Sequence, residues 1–297
     1  MRNVALTGSS GMTGKYMNML LEKKHFNVIN VDRTVWDLTQ WKSFGELDQI
    51  FLTTEAIFHF GAVVPQANNN FHEAKHSLIN DIFDANIRAC ACLAEWALSR
   101  DVPVVFLSGA TVYKDPHALN ITEDADKTTN SFGGFYGFSK YMAEQMFDHF
   151  ISNGLKSILL RPSSIYGTGM VKERLVAKFV GLAVEGKIIE IIEPVNNSVN
   201  FIHASDVALA ALLAFEKQAW GTFNIAANKN ISLNELANKC IELAGRGSVE
   251  VINNKVKTKP FVRFDLNCNK ARNQFGFESK VDIENGIKAM LENTIDV

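Results

Sequence analysis

Short apolar runs alternate with longer amphipathic stretches through the first half of the chain. The short runs are rich in β-branched residues and nearly continuous in apolar character, which indicates strands buried on both faces. Strands are predicted over residues 3–7, 27–31, 56–60, 104–108 and 157–160, and helices over 15–24, 79–100 and 136–153. Buried strands that alternate with helices predict an α/β fold with a Rossmann-like, doubly wound parallel sheet.

After Gly167 the pattern is less regular. Helices are predicted over residues 171–185, 205–216, 232–244 and 282–292, strands over 188–192 and 222–225, and a polar turn over 196–200. We expect residues 201–227 to return to the main sheet. The chain then divides into a larger domain, residues 1–168 with 201–227, and a smaller C-terminal domain, residues 169–200 and 228–297.

Composition narrows the choice of partners. The 297 residues carry 30 Lys and Arg against 32 Asp and Glu, which argues against nucleic acid as a partner because phosphate neutralisation needs an excess of basic residues. The longest apolar run, residues 207–215, is well short of the ~20 residues that span a bilayer. Met1 leads straight into a strand-like run without the basic region of a secretory signal. We therefore expect a cytoplasmic protein with no membrane partner.

The four cysteines predict neither a metal site nor a disulfide framework. Cys90 and Cys92 lie two apart in a predicted helix and so do not face each other, and Cys240 and Cys268 are isolated. No pair has the C-x2-C spacing of a zinc site. We interpret all four as small apolar core residues.

A glycine-rich segment directly follows the first predicted strand. Gly8, Gly11 and Gly14 have the spacing G-x2-G-x2-G and open the first predicted helix. Glycine is needed where the backbone turns tightly or approaches a pyrophosphate, and the helix start offers unpaired N–H groups to phosphate. The segment is not a P-loop, because Ser9 replaces its first glycine and Tyr16 replaces the magnesium-binding Ser or Thr. The context of strand, turn and helix predicts a dinucleotide site.

Asp32 ends the second predicted strand. A carboxylate at this place accepts hydrogen bonds from the ribose hydroxyls of an adenosine and repels a 2′-phosphate, so NAD is favoured over NADP. The neighbouring Arg33 could instead pair with that phosphate or stack on adenine.

Tyr136 and Lys140 lie four residues apart and so share one face of a predicted helix. An ammonium group beside a phenol favours the phenolate, and the lysine together with a cationic nicotinamide ring could lower the pKa of the tyrosine. Next to a dinucleotide site, the pair predicts proton exchange with a substrate, with Tyr136 as the acid–base group.

These motifs resemble, in the same order, those of the extended short-chain dehydrogenase/reductase family of the NAD-dependent epimerase/dehydratase type. The matching segments are residues 7–14, 32, 37–38, 59–62, 86, 108–113, 136–140, 161–162, 166–167, 201–206, 223–225 and 276–287. They span essentially the whole chain. The resemblance is specific for the family and much less so for the reaction.

The resemblance implies a role for each matching residue. Tyr136 would be the acid–base group and Lys140 would hold the nicotinamide ribose, whereas His59 and His203 would be structural. The cofactor-binding set would be Gly8, Ser10, Gly11, Met12 and Gly14 at the pyrophosphate, Asp32 and Arg33 at the adenosine ribose, Asp37 and Leu38 beside adenine, and Phe60, Gly61 and Ala62 beside nicotinamide.

The resemblance also assigns NAD to the larger domain and the substrate to the smaller one. The loop 63–77, with its three consecutive asparagines at 68–70, would help to shape the substrate pocket. A homodimer is implied, in which the helices near residues 86–98 and 136–150 pair across the two chains as a four-helix bundle.

Three positions depart from the family pattern. Gly109 stands four residues before Tyr113, where the family has the Ser or Thr that accompanies the catalytic tyrosine. Ser164 stands where nucleotide-sugar epimerases commonly carry a substrate-binding Asn. Residues 199–201 lack the Arg that often contacts a nucleotide phosphate.

Thr111 is the predicted substitute for the hydroxyl missing at Gly109. If the chain stays extended beyond the strand, residues 109 and 111 point to one side and Ser108 to the other, which adds Thr111 to the catalytic set. The alternative is that Thr111 caps or packs the loop. Ala110 and Thr111 also replace the Asp and Glu of the 4,6-dehydratases, which argues against elimination chemistry.

Three functions follow from these residues and the resemblance. The first is an NAD-dependent oxidoreductase or epimerase acting on a sugar hydroxyl of a nucleotide-activated sugar, in which Tyr136 exchanges the proton and the nicotinamide exchanges a hydride. The second is a simple NAD(P)H-dependent reductase of a keto-sugar or another carbonyl compound. The third is a cofactor-binding protein weakened in catalysis by Gly109, against which the intact Tyr136 and Lys140 argue.

Overall fold

The computed structural model describes residues 2–65, 76–254 and 258–295. Its strands are β1 (Asn3–Thr7), β2 (Asn27–Val31), β3 (Ala56–His59), β4 (Val104–Leu107), β5 (Ser157–Pro162), β6 (Ser164–Tyr166), β7 (Ile188–Ile192), β8 (Ser198–Val199), β9 (Phe201–His203), β10 (Gly221–Ile225), β11 (Ile231–Ser232), β12 (Ser248–Ile252) and β13 (Val262–Arg263). Its helices are α1 (Met12–Lys23), α2 (Phe44–Phe51), α3 (His76–Phe83), α4 (Ala89–Ser99), α5 (Gly134–Ser152), α6 (Leu175–Val184), α7 (Ala204–Glu216), α8 (Leu233–Ala244), α9 (Asn269–Phe275) and α10 (Ile283–Glu292). Within these described ranges, no helix combines the length and apolar character needed to cross a bilayer.

Six parallel strands form the central sheet in the order β2-β1-β3-β4-β5-β10. This confirms the predicted α/β fold with a Rossmann-like sheet. β1 pairs with β2 on one side and β3 on the other, so the strand order reverses at this point. In such sheets ligands bind beyond the carboxyl ends of the strands, next to the reversal.

Helices cover both faces of the sheet because successive residues of each strand point in opposite directions. Val4 and Leu6 of β1 are fully buried in a core shared with α1 and α7. Ala5, between them, is fully buried in a second core that contains Leu93 and Trp96 of α4. Strands buried on both faces explain the nearly continuous apolar runs in the sequence.

A third core lies among α6, α8 and α10. The adjoining small sheets pair β7 with β12 in parallel and place β8 between β11 and β13. All these elements come from the segments that the sequence analysis places in the smaller domain, and the division into two domains stays a prediction.

The structure corrects several predicted elements. The helix expected over residues 79–100 is interrupted, because a π-helical turn at Asp84–Arg88 separates α3 from α4. The polar turn expected over 196–200 instead contains strand β8. The sequence analysis missed α2, although Ser43 and Glu46 form the capping box that the pattern Ser-x-x-Glu signals. It also missed the short strands β6, β9, β11, β12 and β13 and helix α9, and β9 pairs with β6 outside the central sheet.

The cysteines are only partly as expected. Cys90 and Cys240 are buried, whereas Cys92 and Cys268 are half-buried. All four are free thiols.

Candidate active site

A cavity of about 700 Å³ opens at the carboxyl edge of the central sheet, where the strand order reverses. Its volume lies in the range typical of small-molecule sites. Its wall contains every residue predicted for the cofactor and for catalysis: Gly8, Ser10, Gly11, Met12, Gly14, Asp32, Arg33, Asp37, Leu38, Phe60, Gly61, Ala62, Thr111, Tyr136 and Lys140. Of the predicted pocket loop 63–77, residues 63–65 line the cavity, whereas 66–75 lie outside the described residues.

The glycine loop between β1 and α1 is fixed by close backbone contacts. Gly8 has φ +70°, which favours glycine, and a Cβ there would lie 2.6 Å from the backbone N of Gly61. A Cβ on Gly14 would lie 2.0 Å from the carbonyl oxygen of Gly8, so only glycine lets α1 start against the strand. Gly11 precedes the helix and donates a backbone hydrogen bond to the Gly8 carbonyl. The loop therefore leaves backbone exposed to the cavity beside the first turn of α1.

Asp32 follows β2 at the end of the cavity wall opposite the predicted catalytic residues. Its Oδ1 accepts hydrogen bonds from the hydroxyl and backbone N–H of Thr34 and from the N–H of Val35. The hydroxyl and N–H of Thr34 hold the pKa of the Asp32 carboxyl below its usual value. Its Oδ2 accepts none from the described residues, so an anionic oxygen remains available for a ribose hydroxyl. The glycine loop leaves a space that side chains would fill, and Asp32 keeps one carboxylate oxygen free for a hydroxyl donor. Both features fit a bound dinucleotide.

Tyr136 and Lys140 lie one turn apart in α5, with the Lys140 Nζ 6.0 Å from the centroid of the tyrosine ring. Lys140 is buried and donates a 2.8 Å hydrogen bond to the carbonyl oxygen of Leu107 at the end of β4. Burial lowers the pKa of Lys140 to about 8, while the nearby Cys90 and Glu144 oppose this change. The ammonium form still predominates at neutral pH.

Lys140 is not among the groups that lower the pKa of Tyr136 in this structure, whereas the expected joint effect with a cationic nicotinamide stays a prediction. Burial raises the pKa of Tyr136 to about 12, and the charge that opposes this increase is the guanidinium of Arg174. The physical reason is that burial removes the water that would stabilise the charged phenolate. The Lys140 ammonium is 6.0 Å from the ring centroid and is bound to a carbonyl, so its attraction does not offset this loss. Tyr136 is therefore a neutral phenol at neutral pH.

The segment after β4 separates the candidate hydroxyl groups. Ser108 donates a 2.6 Å hydrogen bond to the buried Glu144 carboxylate. The Thr111 Oγ1 is buried without a hydrogen-bond partner among the described residues and lies 3.5 Å from the point where a Cβ of Gly109 would be. Residues 110–112 form a 3-10 turn, so the expected extended chain is wrong, yet Ser108 and Thr111 still have different surroundings.

Two further cations line the cavity, Arg174 at the start of α6 and Arg263 in β13. The sequence analysis singled out neither, because nothing in their local sequence distinguishes them from surface arginines. Only the packing of the C-terminal half against the central sheet brings them into the wall of the cavity that Tyr136 and Thr111 also line.

The sequence model of the NAD dependent epimerase/dehydratase family matches residues 4–226. The chain belongs to this family. Membership confirms the resemblance stated from the motifs, the prediction of an enzyme and the prediction of NAD as the cofactor.

This family member resembles the following proteins at low sequence identity. The chain is 24% identical over 271 residues to the dTDP-4-dehydro-6-deoxy-D-allose reductase of Streptomyces bikiniensis, with 82% of each chain covered. It is 25% identical over 249 residues to a trifunctional UDP-glucose 4,6-dehydratase/UDP-4-keto-6-deoxy-D-glucose 3,5-epimerase/UDP-4-keto-L-rhamnose-reductase of Arabidopsis thaliana, and it spans only 35% of that protein. The solved structure of MoeE5 in complex with UDP-glucose and NAD matches with a TM-score of 0.80 at 22% identity over 98% of both chains, which shows a shared fold.

Proposed function

We propose that this family member is an NAD-dependent oxidoreductase or epimerase that acts on a sugar hydroxyl of a nucleotide-activated sugar. The observation that carries the proposal is that Tyr136, Lys140 and Thr111 line the same cavity as the glycine loop at residues 8–14. A phenol, a cation and an unpaired hydroxyl thus face the space beside the dinucleotide site. The names of the relatives, which act on UDP and dTDP sugars, support the substrate class.

The residues divide the chemistry as follows. NAD bound in the cavity supplies a hydride acceptor or donor. In the reducing direction the neutral Tyr136 phenol donates its proton to the carbonyl oxygen of the substrate and becomes a phenolate, and in the oxidising direction that phenolate takes the proton of the sugar hydroxyl. Thr111 Oγ1 donates a second hydrogen bond to that oxygen. Lys140, held by the Leu107 carbonyl, keeps a positive charge 6.0 Å from the centroid of the Tyr136 ring.

The two parts of the cavity support the assignment of cofactor and substrate to separate parts of the chain. Residues 8–14 and Asp32 belong to the segment 1–168, to which we assign NAD. Arg174 and Arg263 belong to the C-terminal segments 169–200 and 228–297, to which we assign the substrate.

Replacement of the Tyr136 phenol tests the proposed mechanism. Tyr136→Phe is expected to reduce turnover by about 10²–10⁴, the usual contribution of a positioned acid–base group, and to leave NAD affinity within a few fold. Tyr141→Phe, the same change on the next turn of α5 and outside the cavity wall, is the matched control. Product formation from UDP and dTDP sugars is followed by chromatography. Near-normal turnover by Tyr136→Phe would rule out the mechanism.

A net reductase is the second candidate, and the allose reductase that matches most of this chain favours it. The two candidates differ in cofactor balance. A reductase consumes one NADH for each product molecule, whereas an epimerase converts the sugar with no net change in NADH absorbance. Tight NAD binding without conversion of any nucleotide sugar or keto-sugar would instead support a cofactor-binding protein.

A further inference from the structure

A single buried amide joins several segments of the chain at the C-terminal end of the cavity. Asn200 lies between β8 and β9 and is only 3% exposed. Its two neighbours in the chain, Val199 and Phe201, both line the cavity. The Asn200 side chain is buried among other residues and therefore acts on the cavity only through the groups that it binds.

The hydrogen-bond partners of the Asn200 amide fix its orientation. Its Oδ1 accepts a 2.9 Å hydrogen bond from the backbone N–H of Ala227 and a 2.7 Å hydrogen bond from the hydroxyl of Ser163. Its Nδ2 donates hydrogen bonds of 3.0 Å to the carbonyl oxygen of Ala227 and 2.9 Å to the Oδ1 of Asn230. A backbone N–H only donates and a carbonyl only accepts, so the pairing with Ala227 needs an acceptor and a donor on one side chain.

The backbone of Asn200 extends the connection to two further segments. Its N–H donates a 3.0 Å hydrogen bond to the carbonyl oxygen of Arg263 in β13, and its own carbonyl oxygen accepts a 3.1 Å hydrogen bond from the N–H of Ser164 in β6. Ser163, Ser164 and Arg263 all line the cavity. One buried residue thus holds three residues of the wall, drawn from two distant parts of the chain, in place relative to one another.

Ser163 connects these wall residues to the part of the cavity that carries the catalytic pair. It directly follows β5, a strand of the central sheet. β5 pairs with β4, whose last carbonyl, at Leu107, accepts the hydrogen bond from Lys140. A buried polar network specifies one arrangement when each of its groups is satisfied. The position of the C-terminal wall relative to Lys140 is therefore set in part by the hydrogen bonds of Asn200.

We propose that Asn200 is a positioning residue, which holds Ser163, Ser164 and Arg263 where a bound sugar presents its reacting carbon to Tyr136. The inference rests on the proposed function, because the placement of this wall matters for turnover only if the substrate binds against it. Asn200 itself contacts neither the phenol nor the space of the cavity. The sequence analysis singled out residues 199–201 only for an arginine that they lack, and the tertiary structure gives them this different role.

Kinetics and crystal structures of Asn200→Asp test the assignment. The substitution keeps the shape of the side chain but replaces the Nδ2 donor with an oxygen, which then faces the carbonyl of Ala227. The control is Asp206→Asn, the reverse change at a residue that is 2% exposed and whose partners, the N–H groups of Lys280 and Val281, lie outside the described wall of the cavity.

The sugars tested are UDP-glucose, UDP-glucuronic acid, dTDP-glucose and dTDP-4-keto-6-deoxyglucose, with NAD or NADH at saturation. The Michaelis constant and kcat are determined separately for each sugar that the wild type converts. NAD affinity and urea denaturation are measured on the same preparations, so that a loss of folded protein is not mistaken for a loss of turnover.

Asn200→Asp is expected to lower kcat by about 100-fold, because displacement of a bound substrate by about 1 Å has an effect of that size. NAD affinity should stay within a few fold, because the glycine loop at residues 8–14 is not touched. Both variants should unfold at lower urea concentration, but folded Asp206→Asn should keep the wild-type kcat. In the crystal structure of Asn200→Asp, Ser163 and Arg263 should lie about 1 Å or more from their wild-type positions relative to Tyr136.

Asn200→Ser, which introduces a smaller neutral group, takes the place of Asn200→Asp if that variant does not fold, and the same loss of kcat is expected. A wild-type kcat in the folded Asn200 variant, or unchanged positions of Ser163 and Arg263, would refute the positioning role and leave the proposed function intact. An equal loss of kcat in Asp206→Asn would also refute it, because destabilisation alone would then explain the effect. A wild type that converts none of the sugars would contradict the proposed function and the role of Asn200 in turnover, whereas the crystal structures would still decide whether Asn200 holds the wall.

Discussion

The Thr111 hydroxyl is a buried oxygen in the cavity wall with no hydrogen bond to the described residues. It lies next to Gly109, where the backbone offers no side chain. If it donates to the substrate oxygen, Thr111→Val should lower turnover by ~10–10³, because one preorganised donor is lost while shape is kept. Steady-state rates with a converted nucleotide sugar provide the measurement. A neutral Thr111→Val in an active enzyme would mean that the residue only packs the loop.

Ser108 and Gly109 provide the controls for this prediction. Ser108 donates to Glu144, so Ser108→Ala should affect stability more than turnover. Gly109 has φ −179° and ψ 157°, an extended conformation open to any residue, and a Cβ there would meet Thr111 Oγ1 at an ordinary 3.5 Å. Adding Gly109→Ser to Thr111→Val should therefore restore part of the lost turnover. If Ser108→Ala abolishes turnover instead, Ser108 is the donor.

Lys140 makes the stability of the protein depend on pH in a defined direction. Its pKa is lowered by burial from 10.5 to about 8, so between these pH values the unfolded chain binds more protons than the folded one. The contribution of Lys140 to the free energy of unfolding therefore rises as pH increases from 8 to 10.5. Measured by urea denaturation, the difference between wild type and Lys140→Met should change by up to about 3 kcal/mol in favour of the wild type over this interval. A difference that stays flat would show that the lysine is not desolvated.

At the scale of elements, α5 connects the cavity wall to the interior of the sheet. Tyr136, Lys140 and Glu144 follow one another at four-residue intervals, so they form one row along the helix. Glu144 lies at the buried end of the row, where its carboxylate oxygens accept 2.9 Å and 2.7 Å hydrogen bonds from Arg161 of β5. Arg161 also donates to the Tyr113 hydroxyl, which donates to Asn224 of β10. The network fixes α5 against the sheet and thereby positions Tyr136.

Removal of the Glu144 charge should therefore destabilise the whole protein. The side chains of Arg161 and Glu144 are only 5% and 1% exposed. Removal of one charge of a buried ion pair leaves the other charge without compensation. Glu144→Gln should lower the free energy of unfolding by roughly 3 kcal/mol, the lower end of the range for such a change because the amide still accepts a hydrogen bond. The exposed Glu95→Gln in α4 is the control. Comparable denaturation midpoints for the two variants would contradict the structural role.

At the scale of the whole molecule, one face of α5 is apolar but is only half covered by the described residues. Phe138, Met142 and Met146 recur every fourth residue on the face opposite Lys140, and all three are only half-buried. A helix that is apolar on both faces is normally covered on both. This pattern agrees with the predicted homodimer, in which α5 packs against a second copy of the chain.

Met142→Glu should separate that dimer because it introduces a charge into the apolar strip. Light scattering on size-exclusion fractions should give twice the chain mass for the wild type and a single chain mass for the variant. Gln145→Glu, on the neighbouring exposed position, should remain dimeric. A wild type with the mass of one chain would show that the homodimer prediction is wrong.

Much of this protein was determined by sequence alone because the relevant signals are local. The alternation of buried strands and helices specified the sheet, since strands buried on both faces need continuous apolar runs. Gly8 could be recognised because its positive φ favours glycine, and Gly14 because a Cβ there would collide with the carbonyl oxygen of Gly8. Tyr136 and Lys140 were found because helical spacing alone places them on one face.

The tertiary structure decided what depends on contacts between distant segments. Arg174 and Arg263 enter the cavity only through the packing of the C-terminal segments, which no local pattern encodes. The pKa of Tyr136 rises because desolvation depends on everything that surrounds the phenol, not on the lysine four residues away. The different roles of Ser108 and Thr111 likewise arose from a 3-10 turn and a glutamate 36 residues away in sequence, because hydrogen-bond partners are chosen by position in space.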